Sequence, residues 1–185
     1  MNIFIAGVHG VGKTYLASQL PKEIGLVHTS ASTLIKNERA LPEWNTDKRV
    51  NDVDANQVAL AAAVERHNRA GTRLLLDGHF VLLNPQNQFL YLGTEVFKSL
   101  NLEAVVLLET NTLTIASRIK ERDDRESDTD HIENFINAER HQAQIVCNDL
   151  GIPLLILDSP NPDTFSAAIS SIVLRARGSA APAGQ

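Results

Sequence analysis

Short apolar runs alternate along the chain with longer stretches whose apolar positions recur every three to four residues. The first kind has strand length and the second has helical period, and their alternation predicts a parallel α/β sheet. Strands are expected at Asn2–Ala6, Leu26–His28, Arg73–Leu76, Ala104–Leu108 and Pro153–Leu157. Helices are expected over Gly12–Leu20, Ser30–Lys36 with Ser30 as cap, Asp54–Ala70, Thr112–Arg122, Thr129–Leu150 and Asp163–Arg175. In the third of these, Val58, Ala61, Ala62 and Glu65 fall near one face. In the fifth, Ile132, Phe135, Ile136, Ala143, Val146 and Leu150 keep a period near 3.6. Gly71 and Gly151 sit where two helices should stop. Phe80–Leu83 and Gln88–Leu92 flank Asn84-Pro85-Gln86-Asn87, a pattern for a small hairpin. Pro42 to Val53 reads as a loop holding Trp44, and Gly178 to Gln185 as a frayed tail.

Composition narrows the class. At 185 residues, 43% hydrophobic and 21% charged, the chain is an ordinary globular domain, not a disordered, collagenous or coiled-coil one. A net charge of −5 lacks the footprint of a nucleic-acid or membrane-surface binder, so neither partner is expected. One cysteine, Cys147, cannot form an internal disulfide, and no signal-like or membrane-length apolar stretch is visible. A reducing, cytoplasmic setting is the expectation. His28, His67, His131 and His141 have no zinc-like spacing with Cys147, which reads as a core residue.

Three motifs carry chemistry. Gly7-Val8-His9-Gly10-Val11-Gly12-Lys13-Thr14 fits G-x-x-x-x-G-K-[ST] and stands between an apolar strand and a helix. Its glycines free backbone N–H groups to cradle phosphates, Lys13 would neutralise the β- and γ-phosphates, and Thr14 would offer its hydroxyl to Mg²⁺. His9 either touches a phosphate or, the favoured reading, packs beside the loop. The bound nucleotide is expected to be ATP, because the Asn/Thr-Lys-x-Asp motif of G proteins is missing from the sequence. The second motif is Leu74-Leu75-Leu76-Asp77-Gly78-His79. An Asp ending a doubly buried strand beside the P-loop strand is placed to hold Mg²⁺ through water or to act as base for an acceptor hydroxyl. An ordinary strand-ending turn is the plain alternative, and His79 either lines the site or covers the strand end. The third is Arg118, Arg122 and Arg125, spaced i, i+4, i+7 on one helical face. Arginines there would close over a transferring phosphoryl group, unless acidic neighbours hold them as a solvated face.

Together these segments resemble the adenylate-kinase-like P-loop kinases, closest to the small archaeal-type adenylate kinases and their bacterial relatives. The resemblance runs through most of residues 1–160, although only the P-loop is specific alone. It implies a three-layer α/β fold with a five-stranded parallel sheet in the order 2-3-1-4-5 and helices on both faces. It implies one kinase domain over 1–177, with an acceptor region near 30–70 and a lid near 118–130. Arg118 and Arg125 would take the lid positions, and Asp77 and His79 match an Asp-x-His of that family. The implied activity is transfer of the ATP γ-phosphoryl group to a small acceptor, a nucleoside monophosphate first. A kinase for another hydroxyl, or an ATPase switch with a macromolecular partner, stands behind it. Lys36, Arg39, Lys48 and Arg49 are candidates for an acceptor phosphate, Asn56 and Gln57 for a base edge, and Trp44 for stacking or half-burial.

Overall fold

The computed structural model describes residues 1–40, 53–124 and 126–179. The expected loop over Pro42–Val53, with Trp44, Lys48 and Arg49, lies outside them except for Val53, which is helical; Arg125 and the end of the tail lie outside them too.

Five parallel strands form the central sheet: β1 (Asn2–Ala6), β2 (Val27–Ser30), β3 (Leu74–Asp77), β6 (Leu102–Glu109) and β7 (Leu154–Asp158). Their order is β2-β3-β1-β6-β7, which is 2-3-1-4-5 when the strands of this sheet alone are counted. A separate hairpin, β4 (Val81–Leu83) and β5 (Phe89–Tyr91), accounts for the gap in numbering. All five residues of β1 are buried, as expected of a middle strand packed on both faces. Ile3, Phe4 and Ile5 are each removed from water almost completely, which stabilises the fold by about 1.5–3 kcal/mol per side chain.

The helices are α1 (Lys13–Ser18), α2 (Ala31–Glu38), α3 (Val53–Arg69), α4 (Thr94–Lys98), α5 (Thr112–Asp123), α6 (Thr129–Leu150) and α7 (Pro162–Ser179). Ser30 caps α2 by accepting from the Thr33 amide at 3.1 Å. Asn111 does the same for α5 through the Thr114 amide at 2.8 Å. Gly151 ends α6 in the left-handed conformation.

The face of α3 carrying Val58, Ala62 and Glu65 is exposed, and Asn56, Ala59, Leu60, Ala63 and Val64 are the buried set. Two expectations need correcting. α7 continues through Gly178 and Ser179, so the helix takes up the first two residues read as tail. α4 was not anticipated, because five residues are too few to display a helical period. Among the described residues no helix is long and apolar enough to cross a membrane.

Candidate active site

The parallel register decides which residues meet. Ile5 of β1 lies level with Asp77 of β3, and Ser30 of β2 lies level with Asp77 on its other side. The carboxyl ends of three strands therefore converge, where ligands bind in open α/β sheets. The chain then turns through residues 7–12 into α1. Gly7 stands at φ 136° and Gly12 at φ 108°, both in the region that L side chains avoid.

Lys13 opens α1 and is only 7% exposed. Its Nζ donates to the Gly7 carbonyl at 2.5 Å and faces the Asp77 carboxylate at 3.9 Å. Burial holds its pKa below the ordinary lysine value, against the pull of Asp77 and Glu139. Thr14 Oγ1 donates to Asp77 Oδ2 at 3.3 Å. Asp77 is itself buried, which pushes its pKa up. His28, Lys13 and His79 around it outweigh that and hold it below the usual carboxylate range. His28 Nε2 approaches Asp77 to 3.7 Å, too far for a hydrogen bond, and is a buried nitrogen with no hydrogen-bond partner among the described residues. Thr14 and Asp77 thus present two hard oxygen donors side by side. That donor set fits Mg²⁺, which takes one or two protein oxygens and fills its shell with water and phosphate.

Arg118 on α5 donates through Nη1 to the carbonyls of Gly10 and Val11 at 3.1 and 3.0 Å. The arginine is thereby brought onto the P-loop. Arg122 reaches the same cleft but forks onto its neighbour Asp123 at 2.6–2.7 Å. α5 closes at Asp124, which is left-handed at φ 49°, and Arg125 lies outside the described residues. The expected shared face is therefore described for two of its three arginines.

A cleft of about 850 Å³ runs from this centre along the sheet. Its P-loop end holds Lys13, Arg118 and Arg122. Its far wall is apolar, with Phe4, Leu60, Leu82, Leu92, Phe97 and Leu100, and carries the uncharged polar groups Ser30, Ser32, Asn56 and Gln57. Arg39 stands behind that wall, donating to Asn56 Oδ1 at 2.5 Å. Lys36 is exposed on α2 and does not line the cleft.

The family model described as "AAA domain" matches residues 6–135, well over half of the chain. The chain belongs to that AAA domain family. Among curated proteins nothing matches it. Solved structures with the same fold include a gluconokinase from Sinorhizobium meliloti, at 15% identity and TM-score 0.55, covering 96% of this chain and 94% of that one. They also include a deoxyadenosine kinase from M. mycoides with bound dATP, at 15% identity and TM-score 0.52, covering 92% and 98%. A third is an uncharacterized protein from Eubacterium ventriosum, at 12% identity and TM-score 0.53, covering 94% and 98%. The fold is thus that of P-loop kinases. The likeness to adenylate kinases in particular is not reproduced among these structures.

Two residues of the site had no part in the motifs read from the sequence. His28 was weighed only as a zinc ligand, and its place beside Asp77 depends on a strand pairing that no local pattern announces. Glu139, on α6, had a visible signal: it is a carboxylate three residues beyond Ile136, on the apolar stripe. Its side chain is 1% exposed. Burial pushes its pKa up to about 7, while Lys13 and the amides of Phe80, Val81 and Gly7 pull it down. Because that folded-state value stands above the ordinary 4.5, the folded protein holds this proton more tightly than the unfolded chain does. The stability this group contributes is full below pH 4.5 and is lost as pH rises to about 7. The loss amounts to roughly 3 kcal/mol. Glu139→Gln is expected to flatten urea midpoints across that window; an unchanged slope in the variant would assign it to another group.

Proposed function

We propose that the protein is an ATP-dependent phosphotransferase acting on a small acceptor bound along the cleft. One observation carries this reading: a buried Asp77 carboxylate lies beside both Thr14 and Lys13, at the head of a cleft with room for a second substrate. The P-loop amides and Lys13 hold the phosphate chain, Thr14 and Asp77 hold Mg²⁺, and Arg118 neutralises charge on the transferring group. Arg122 follows once it leaves Asp123, and Arg125 shares in the lid. Catalysis on this plan is positioning and charge stabilisation, with no covalent enzyme intermediate.

The far wall favours an acceptor that offers a hydroxyl on a body without phosphate. Among its described residues the lysines and arginines all belong to the P-loop end, and the wall itself is apolar with hydroxyl and amide groups. The two named kinases of the same fold support a small-molecule acceptor. A nucleoside monophosphate is the second reading, favoured by Arg39, which hydrogen-bonds Asn56 directly behind the wall.

The test is ADP release from Mg·ATP, coupled to an optical readout, with adenosine, deoxyadenosine, gluconate and AMP each added alone. Turnover with a phosphate-free acceptor is expected. Turnover with AMP alone would move the assignment to the monophosphate. ATP loss that ignores every acceptor but rises with an added protein partner would make the chain an ATPase switch instead.

A further inference from the structure

A buried polar cluster outside the phosphate site joins Glu139, His79 and the start of the hairpin. Glu139 Oε2 accepts from the amides of Phe80 at 2.6 Å and Val81 at 3.0 Å. Glu139 Oε1 meets His79 Nδ1 at 2.9 Å. The His79 ring in turn lies 4.4 Å from the ring of His9 on the P-loop, and is stacked 6.4 Å from Phe135 on α6. It also lines the cleft, two residues past Asp77.

A carboxylate taken this far from water is costly unless its lone pairs are filled. Holding the Phe80 and Val81 amides does not by itself call for a charge, since a glutamine carbonyl could accept from both. The feature a carboxylate adds is a second acceptor oxygen, and the structure aims that oxygen at His79. Above about pH 7, where Glu139 is ionised, it only accepts, so the proton between them sits on Nδ1, which fixes both the tautomer and the rotation of the ring.

We propose that Glu139 is a positioning residue for phosphoryl transfer: it locks the tautomer and orientation of His79 between the P-loop and α6, and so sets the edge that His79 presents to the cleft beside Asp77. This rests on the phosphotransferase reading for its kinetic consequence, but the lock itself does not. Outer partners of this kind are worth about 10- to 100-fold in activity where they orient a site.

The test uses the full chain at pH 8, above the titration of Glu139. Nitrogen-15 histidine NMR of the wild type is expected to show His79 protonated at Nδ1. A bare Nδ1 would overturn the lock without any variant being made. Glu139→Gln keeps a carbonyl for the Phe80 and Val81 amides but turns an NH₂ donor toward His79. Its kcat is expected to fall about 10- to 100-fold with KM for ATP within about twofold. Assays use Mg·ATP with whichever of adenosine, gluconate or AMP supports turnover. His79→Ala should match that loss, and the double variant should lose no more than either single one. Wild-type kcat in Glu139→Gln, or additive losses in the double variant, would show that Glu139 serves only the hairpin. If the wild type turns over no acceptor, the phosphotransferase reading fails, and the NMR result still decides the lock.

Discussion

Replacing Lys13 by methionine is expected to lower phosphoryl-transfer turnover by about 10²–10³-fold or more while leaving unfolding cooperative. Methionine keeps an unbranched stem of nearly the same volume, so the buried slot beside Gly7 and Val8 stays filled. What goes is the only ammonium facing Asp77 within the described residues. A developing negative charge on the transferred group then loses its closest fixed cation in a site shielded from water, where such a contact counts most. The readouts are steady-state turnover and a urea melt. Wild-type turnover in a cooperatively folded variant would remove Lys13 from the mechanism and the P-loop assignment with it.

The largest effect on stability is expected from Gly7→Ala. At φ 136° the backbone of Gly7 lies in a region that costs an L residue about 1–3 kcal/mol. Its new Cβ would also be driven into the Leu108 carbonyl oxygen of β6. β1 and β6 are neighbours in the sheet, so neither backbone can move aside without disturbing their pairing. A loss of roughly 3 kcal/mol or more is expected in the urea midpoint, together with weaker nucleotide binding. Gly25→Ala is the matched control. Gly25 also has a positive φ, 76°, but nothing lies within 4 Å of its would-be Cβ, so only about 1 kcal/mol should be lost. Equal losses at the two positions would mean that the close approach of β6 contributes nothing.

Much of the fold follows from period and punctuation. β1, β6 and α6 were legible because long runs keep one period and end at glycine, proline or a polar cap. The P-loop was legible because its spacing is a backbone requirement as well as a chemical one. Asp77 was placed correctly by its position at the end of a three-leucine strand. The unreadable parts share a physical cause, which is that they depend on partners distant in sequence. His28 reaches Asp77 only because β2 pairs with β3 in a particular register. Glu139 gains its meaning from residues 58 to 60 positions away. Arg140 forms a fork with Glu109, 31 residues distant, which nothing in the helix pattern announces. Which face of α3 is buried was not legible, because alanine carries too little hydrophobic contrast to orient a helix. Arg122 shows the opposite limit. Its helical face was right, yet an adjacent acid, Asp123, takes its fork.

Lys13 and Arg118 both donate to carbonyls of the P-loop itself, at Gly7, Val8, Gly10 and Val11. On the phosphotransferase reading, nucleotide entry is therefore a competition and not a simple docking of anion onto waiting cations. Each phosphate oxygen must outbid a carbonyl dipole already in contact. A singly charged anion has little to offer in that exchange, whereas a triphosphate brings several charges on one chain and can displace both donors in a single event. On that reading the loop would discriminate among anions by valence before any base or acceptor is recognised.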